Sequence, residues 1–128
     1  MASAGKGVSQ VMNRCEMAKA TGYLDLSDCG LLYVTDAIYF VLKEYQIAKC
    51  NLKNNGMKNF PKKMVERLPH IMLLNLENNK LTSIPDEIAN WSQMRALNLS
   101  HNKLTSFPEV LFKLEMLQFL DIGNNEIE

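Results

Sequence analysis

The feature that most constrains this chain is an eleven-residue pattern that returns five times. Three copies align without gaps: Ile71-Met-Leu-Leu-Asn-Leu-Glu-Asn-Asn-Lys-Leu81, Met94-Arg-Ala-Leu-Asn-Leu-Ser-His-Asn-Lys-Leu104 and Leu117-Gln-Phe-Leu-Asp-Ile-Gly-Asn-Asn-Glu-Ile127. Each reads L-x-x-L-x-L-x-x-N-x-L, with conservative apolar exchanges. Ile47-Ala-Lys-Cys-Asn-Leu-Lys-Asn-Asn-Gly-Met57 is a fourth copy and Thr21-Gly-Tyr-Leu-Asp-Leu-Ser-Asp-Cys-Gly-Leu31 a more worn fifth. The starts at 21, 47, 71, 94 and 117 are separated by 26, 24, 23 and 23 residues. A unit of this length cannot bury its apolar face alone, so the copies are expected to stack into one continuous core.

Each position has a physical reason. The central x-L-x-L-x alternates with period two, so Leu74 and Leu76 are expected inside and Leu73, Asn75 and Glu77 outside. Asn55, Asn79, Asn102 and Asn125 fall where the chain leaves the strand. An amide there both donates to and accepts from the backbone of the turn. Cys29 holds that place in the first copy, and a structural rather than reactive thiol is expected.

The second halves are also regular. Phe60-Pro61, Ile84-Pro85 and Phe107-Pro108 are followed by Met64, Ile88 and Leu111, then by Leu68, Trp91 and Leu114. Proline at the entry and apolar spacing of three or four predict short helices or 3-10 turns on the outer side. The greasier Ile38-Tyr-Phe-Val-Leu42 of the first copy predicts a fuller helix.

The x-x-[LIF]-P-x-x-[LI] spacer on a 23-residue period resembles the intracellular leucine-rich-repeat class typified by Shoc-2 and Erbin. The plan as a whole is similar to the small leucine-rich-repeat-containing proteins that carry little but repeats. The resemblance covers residues 21–128 and implies an α/β solenoid with a curved parallel sheet inside. It also implies a protein-binding role, and the family tolerates cysteine at the asparagine position.

Residues 1–7 are expected to be flexible. Residues 8–20 place Val8, Val11, Met12, Cys15 and Ala18 on one helical stripe, and the expected role is to cap the first repeat. A membrane-surface helix shares this periodicity, but only Arg14 and Lys19 are basic here. Residues 21–128 form the repeat domain, the last copy stopping after its strand motif. Truncation, an incomplete final repeat or self-association through an uncapped C-terminal edge would each account for that, with Ile122 and Ile127 beneath the edge.

Composition narrows the function. The 128 residues fit one domain, and 47% hydrophobic with 22% charged residues is ordinary globular usage. Fourteen basic and fourteen acidic residues cancel, so no overall field attracts nucleic acid or membrane. Neither a secretory apolar run nor a membrane span is evident, Ala2 excludes N-myristoylation, and Cys15, Cys29 and Cys50 show no CxxC pairing. A cytoplasmic location, with the nucleus also open, is expected.

No chemistry-bearing constellation emerges. His70 and His101 lie in different copies without metal-ligand spacing. Adjacent Ser100 and His101 lack the orienting third group of a nucleophilic site. Gly5-Lys6-Gly7 falls far short of a phosphate-binding loop. The sequons at Asn90 and Asn98 read as coincidental without an export signal. No catalytic, cofactor or metal site is assigned, and the chain is read as non-enzymatic.

What remains is the inner face. Repeat position three carries Tyr23, Lys49, Leu73, Ala96 and Phe119, and position five Asp25, Asn51, Asn75, Asn98 and Asp121, the latter read as a solvated ladder. Position seven carries Ser27, Lys53, Glu77, Ser100 and Gly123. Tyr23, Leu73 and Phe119 are the anchors of a candidate partner-binding surface. Lys49, Asn51, Lys53, Asn75, Glu77, Asn98 and Asp121 complete it, and Met72, Arg95 and His101 extend it. The alternative is that solenoid edges bury such residues against neighbouring loops.

Charge is uneven along the arc. Residues 43–67 hold Lys43, Lys49, Lys53, Lys58, Lys62, Lys63 and Arg67 against Glu44 and Glu66, a net +5. Residues 109–128 hold Lys113 against Glu109, Glu115, Asp121, Glu126 and Glu128, a net −4. The expected role is an adaptor or scaffold binding an unidentified protein on the concave face. A nucleic-acid-associated or phosphatase-regulating role is the alternative. Nucleic acid is the weaker partner, because no stacking aromatics interleave the lysines.

Overall fold

A computed structural model describes residues 4–128, with side chains from residue 7 onward. The five motif copies form β1 (Tyr23–Asp25), β2 (Lys49–Asn51), β3 (Leu73–Asn75), β4 (Ala96–Asn98) and β5 (Phe119–Asp121). They make one parallel sheet in sequence order. On the outer side lie α2 (Asp36–Leu42), α3 (Lys63–Arg67) and 3-10 helices over Asp86–Asn90 and Glu109–Lys113. Pro85 and Pro108 hold extended backbone at the N-caps of the two 3-10 helices. The solenoid, its outer helical turns and the fuller first helix agree with the sequence reading.

The core lies between sheet and outer helices. Leu24, Leu74 and Leu97 at position four and Leu26, Leu52, Leu76 and Leu99 at position six are buried, with Ile38, Met64, Ile88 and Leu111 opposing them. Trp91 is fully buried, meets Phe60 edge-on at 6.0 Å, and its indole N–H donates to the Leu68 carbonyl at 3.0 Å.

The asparagines form a continuous zigzag. Asn102 donates to the carbonyls of Leu99 in its own repeat and Leu76 in the preceding one, and its Oδ1 accepts from the Leu81 N–H at 3.0 Å. Asn79 shares the Leu76 carbonyl and Asn125 shares that of Leu99. Asn55 and Asn79 likewise share Leu52. The Leu52, Leu76 and Leu99 carbonyls thus each take two amide donors and join adjacent repeats, while those of Leu26 and Ile122 at the two ends take one. Asn55 closes the series at the first repeat, where its Oδ1 accepts from the N–H groups of Cys29 and Leu31. No earlier repeat needs joining there, so Cys29 suffices, its thiol donating to the Ser27 carbonyl.

Helix α1 spans Ala4–Thr21 and buries Cys15 and Ala18 against the first repeat. It starts at Ala4 rather than Val8; of the expected flexible segment 1–7, residues 1–3 lie outside the described residues. Val8 is 63% exposed, contrary to its place on the expected buried stripe. Eighteen helical residues reach about 27 Å, whereas a three-residue strand covers about 10 Å, so the first turns overhang. At the other end Leu120 is 36% exposed, against 2% for its counterpart Leu97, while Ile122 and Ile127 are half-buried against the core.

Candidate concave-face site

The in-register pairing sets Tyr23, Lys49, Leu73, Ala96 and Phe119 side by side across the sheet. With Asn51, Asn75, Asn98 and Asp121 they line an open depression of ≈ 720 Å³, whose wall also includes the small residues Gly22 and Ala48. Tyr23 is 40% and Phe119 70% exposed, while Leu73 and Ala96 are half-buried. Of the expected surface, the structure brings together Tyr23, Lys49, Asn51, Leu73, Asn75, Asn98, Phe119 and Asp121. Lys53, Met72, Glu77, Arg95 and His101 do not line the depression.

The position-five side chains are more than a solvated row. Oδ1 of Asp25, Asn51, Asn75, Asn98 and Asp121 accepts the backbone N–H two residues on, at 2.9 to 3.1 Å. These Asx turns end the strands and fix one face of each side chain. The Asn51 amide donates to the Tyr23 hydroxyl at 3.4 Å and that of Asn98 to Glu77 at 3.1 Å. The Asn75 NH₂ has no partner among the described residues.

Charges around the depression are also sorted. Lys53 reaches Glu77 at 3.9 Å, and Arg14 reaches Asp25 at 3.3 Å. Among the described residues, Lys49 and Asp121 take part in no ion pair.

A further column escaped the sequence reading. Asp28, Asn54, Asn78, His101 and Asn124, all at position eight, adopt left-handed backbone with φ between 54° and 57°. Asn, Asp and His are enriched in this conformation. The Asp/Asn/His run immediately before the asparagine column was the available signal. His101 is exposed, and its N–H donates to the Gly123 carbonyl at 3.0 Å; its place is in the turn rather than on the floor.

Burial pushes the Cys15, Cys29 and Cys50 thiols up. Among the described residues no group of three His, Cys, Asp or Glu side chains is placed to hold a metal ion.

A family model described as leucine rich repeat matches residues 46–104 and 69–127, more than half of the chain. The chain belongs to the leucine-rich-repeat family. It is 33% identical over 90 residues to mouse leucine-rich repeat-containing protein 20, a match covering 67% of this chain and 49% of that protein. The chain therefore spans about half the length of this curated relative. Among solved structures, a Leptospira interrogans leucine-rich-repeat protein is 28% identical with a TM-score of 0.69, over 90% of this chain and 34% of its own. The Arabidopsis thaliana BIR2 ectodomain is 26% identical with a TM-score of 0.64, over 81% and 67%. The leucine-rich-repeat domain of APL1B, 19% identical with a TM-score of 0.71 over 98% and 36%, shares the fold. A leucine-rich-repeat domain of this kind is suited to protein–protein interaction, and among the described residues no helix is long and apolar enough to cross a membrane.

Proposed function

We propose that this leucine-rich-repeat chain is a non-enzymatic adaptor or scaffold that binds a protein partner on its concave face. The observation that carries the reading is the alignment of Tyr23, Leu73 and Phe119 along one open depression. Such apolar and aromatic anchors contribute most of the energy in protein interfaces when desolvated. The three free thiols suit a reducing compartment, and the cytosol is the proposed location.

Affinity capture with the wild type beside the Tyr23→Ala/Leu73→Ala/Phe119→Ala variant tests the reading. Proteins retained by the wild type, lost from the variant and resistant to nuclease are the expected result. Identical capture by both, or capture that disappears on nuclease treatment, refutes it.

A further inference from the structure

The two charges of the depression without ion-pair partners stand at a definite separation. Lys49 is on β2, in register with Leu73, Ala96 and Phe119, and Asp121 is on β5, three strands away and two residues further along. At the spacing of adjacent strands, three steps carry Lys49 to Phe119 in about 14 Å, and the two-residue offset puts Asp121 about 16 Å away on the diagonal, a difference that a long arginine side chain at the Phe119 position spans. Between them the floor is apolar, formed by Leu73 and Ala96. Phe119 lies two residues before Asp121 on the same strand, and alternation puts both on the same face. Beside the floor, the unpartnered Asn75 NH₂ is available to a carbonyl.

An extended peptide crossing the strands matches these intervals. Four residue steps cover about 13 Å, and residues i, i+2 and i+4 point to the same side. The flanks reinforce the polarity, the net +5 of residues 43–67 lying on the Lys49 side and the net −4 of residues 109–128 on the Asp121 side. We propose that the depression takes an extended peptide segment with an acidic residue over Lys49, an apolar residue two positions on over Leu73 and Ala96, and an arginine four positions on between Phe119 and Asp121. The arginine gains both the carboxylate and the aromatic face. The floor sets the spacing, not the chain direction. Charge complementarity of this kind selects the partner and its register more than it raises affinity. The inference rests on the concave face being the binding surface, and it names the chemistry of what binds there.

Panning a phage-displayed random dodecapeptide library against the full chain tests it. The wild type should enrich peptides with an acidic residue and an arginine four apart, with an apolar residue between them. Lys49→Glu should abolish the acidic preference and keep the arginine. Asp121→Asn, which retains the turn-forming Oδ1, should abolish the arginine preference and keep the acid. Each variant should weaken the selected wild-type peptide by roughly tenfold in fluorescence polarisation. No enriched peptide, an enriched motif without the spaced charges, or the same motif from all three proteins overturns the proposal. Capture of a folded partner that is sensitive to the Tyr23/Leu73/Phe119 triple variant would meanwhile leave the concave-face reading standing.

Discussion

Replacing Asn102 by alanine removes one rung of the asparagine zigzag, and the structure gives the size of the effect. The Leu81 N–H, which meets Asn102 Oδ1 at a buried site, loses that acceptor. An orphaned buried donor costs about 1–3 kcal/mol. The Leu76 and Leu99 carbonyls each drop from two donors to one, because Asn79 and Asn125 remain. That adds about 0.5 kcal/mol apiece, for a total of about 2–4 kcal/mol. Asn125 makes the equivalent bonds to Leu104, Leu99 and Ile122, but it is half-exposed and water can replace it. Asn125→Ala should therefore cost only about 1 kcal/mol. Urea denaturation followed by the emission of the single tryptophan, buried Trp91, reads both. Tm should fall by roughly 8–16 °C for Asn102→Ala. Equal losses for the two variants, or a loss below about 1 kcal/mol at Asn102, would show that burial does not govern the ladder's energetics.

Other consequences are open to measurement. His101→Val forces a β-branched residue into left-handed backbone and should destabilise by about 1–2 kcal/mol, whereas His101→Asn should be neutral in the same denaturation assay. Burial holds the Cys50 thiol and the Tyr39 hydroxyl above their ordinary values of 9.0 and 10.0. Both stay protonated in the folded state while the unfolded chain releases its protons. Stability is thus fully present below pH 9 and falls above it, by up to about 1.4 kcal/mol per pH unit for each group; urea midpoints flat between pH 8 and 11 would contradict this. In native protein a thiol reagent should label half-exposed Cys29 well before Cys15 or Cys50, as peptide mass mapping would show. Trp91→Phe should cost about 1–2 kcal/mol, through the unsatisfied Leu68 carbonyl and lost packing.

Much of the fold was legible because period-two alternation and a buried amide are recurring demands. Leu74 and Leu76 face the core because the strand places them there, and the asparagine column is visible because an amide offers that turn two donors to carbonyls of neighbouring repeats and one acceptor at once. Two other columns carried equally regular signals with a different physical meaning. The Asn75 column looks like a row of solvated side chains, yet each Oδ1 closes an Asx turn through its own backbone. His101 looks like a surface ligand, but it holds a φ of 57°, which sequence shows only as a taste for Asn, Asp and His. Val8 continues the helical stripe of α1 correctly, but periodicity carries no information about where the surface beneath it ends. The candidate surface was legible as a column of residues. The pairings that leave Lys49 and Asp121 without ionic partners required coordinates.

The zigzag of asparagines also bears on how such an arc changes length. Every rung draws on its own repeat and the one before it, and on nothing further away. If a 23-residue unit is inserted or excised between two asparagines, the amides on either side meet the same carbonyls and N–H groups as before. Lengthening or shortening the arc therefore demands no compensating change in the core. A lineage can duplicate or lose repeats in a single recombination event and retain a fully bonded spine, varying only the residues displayed along the inner face.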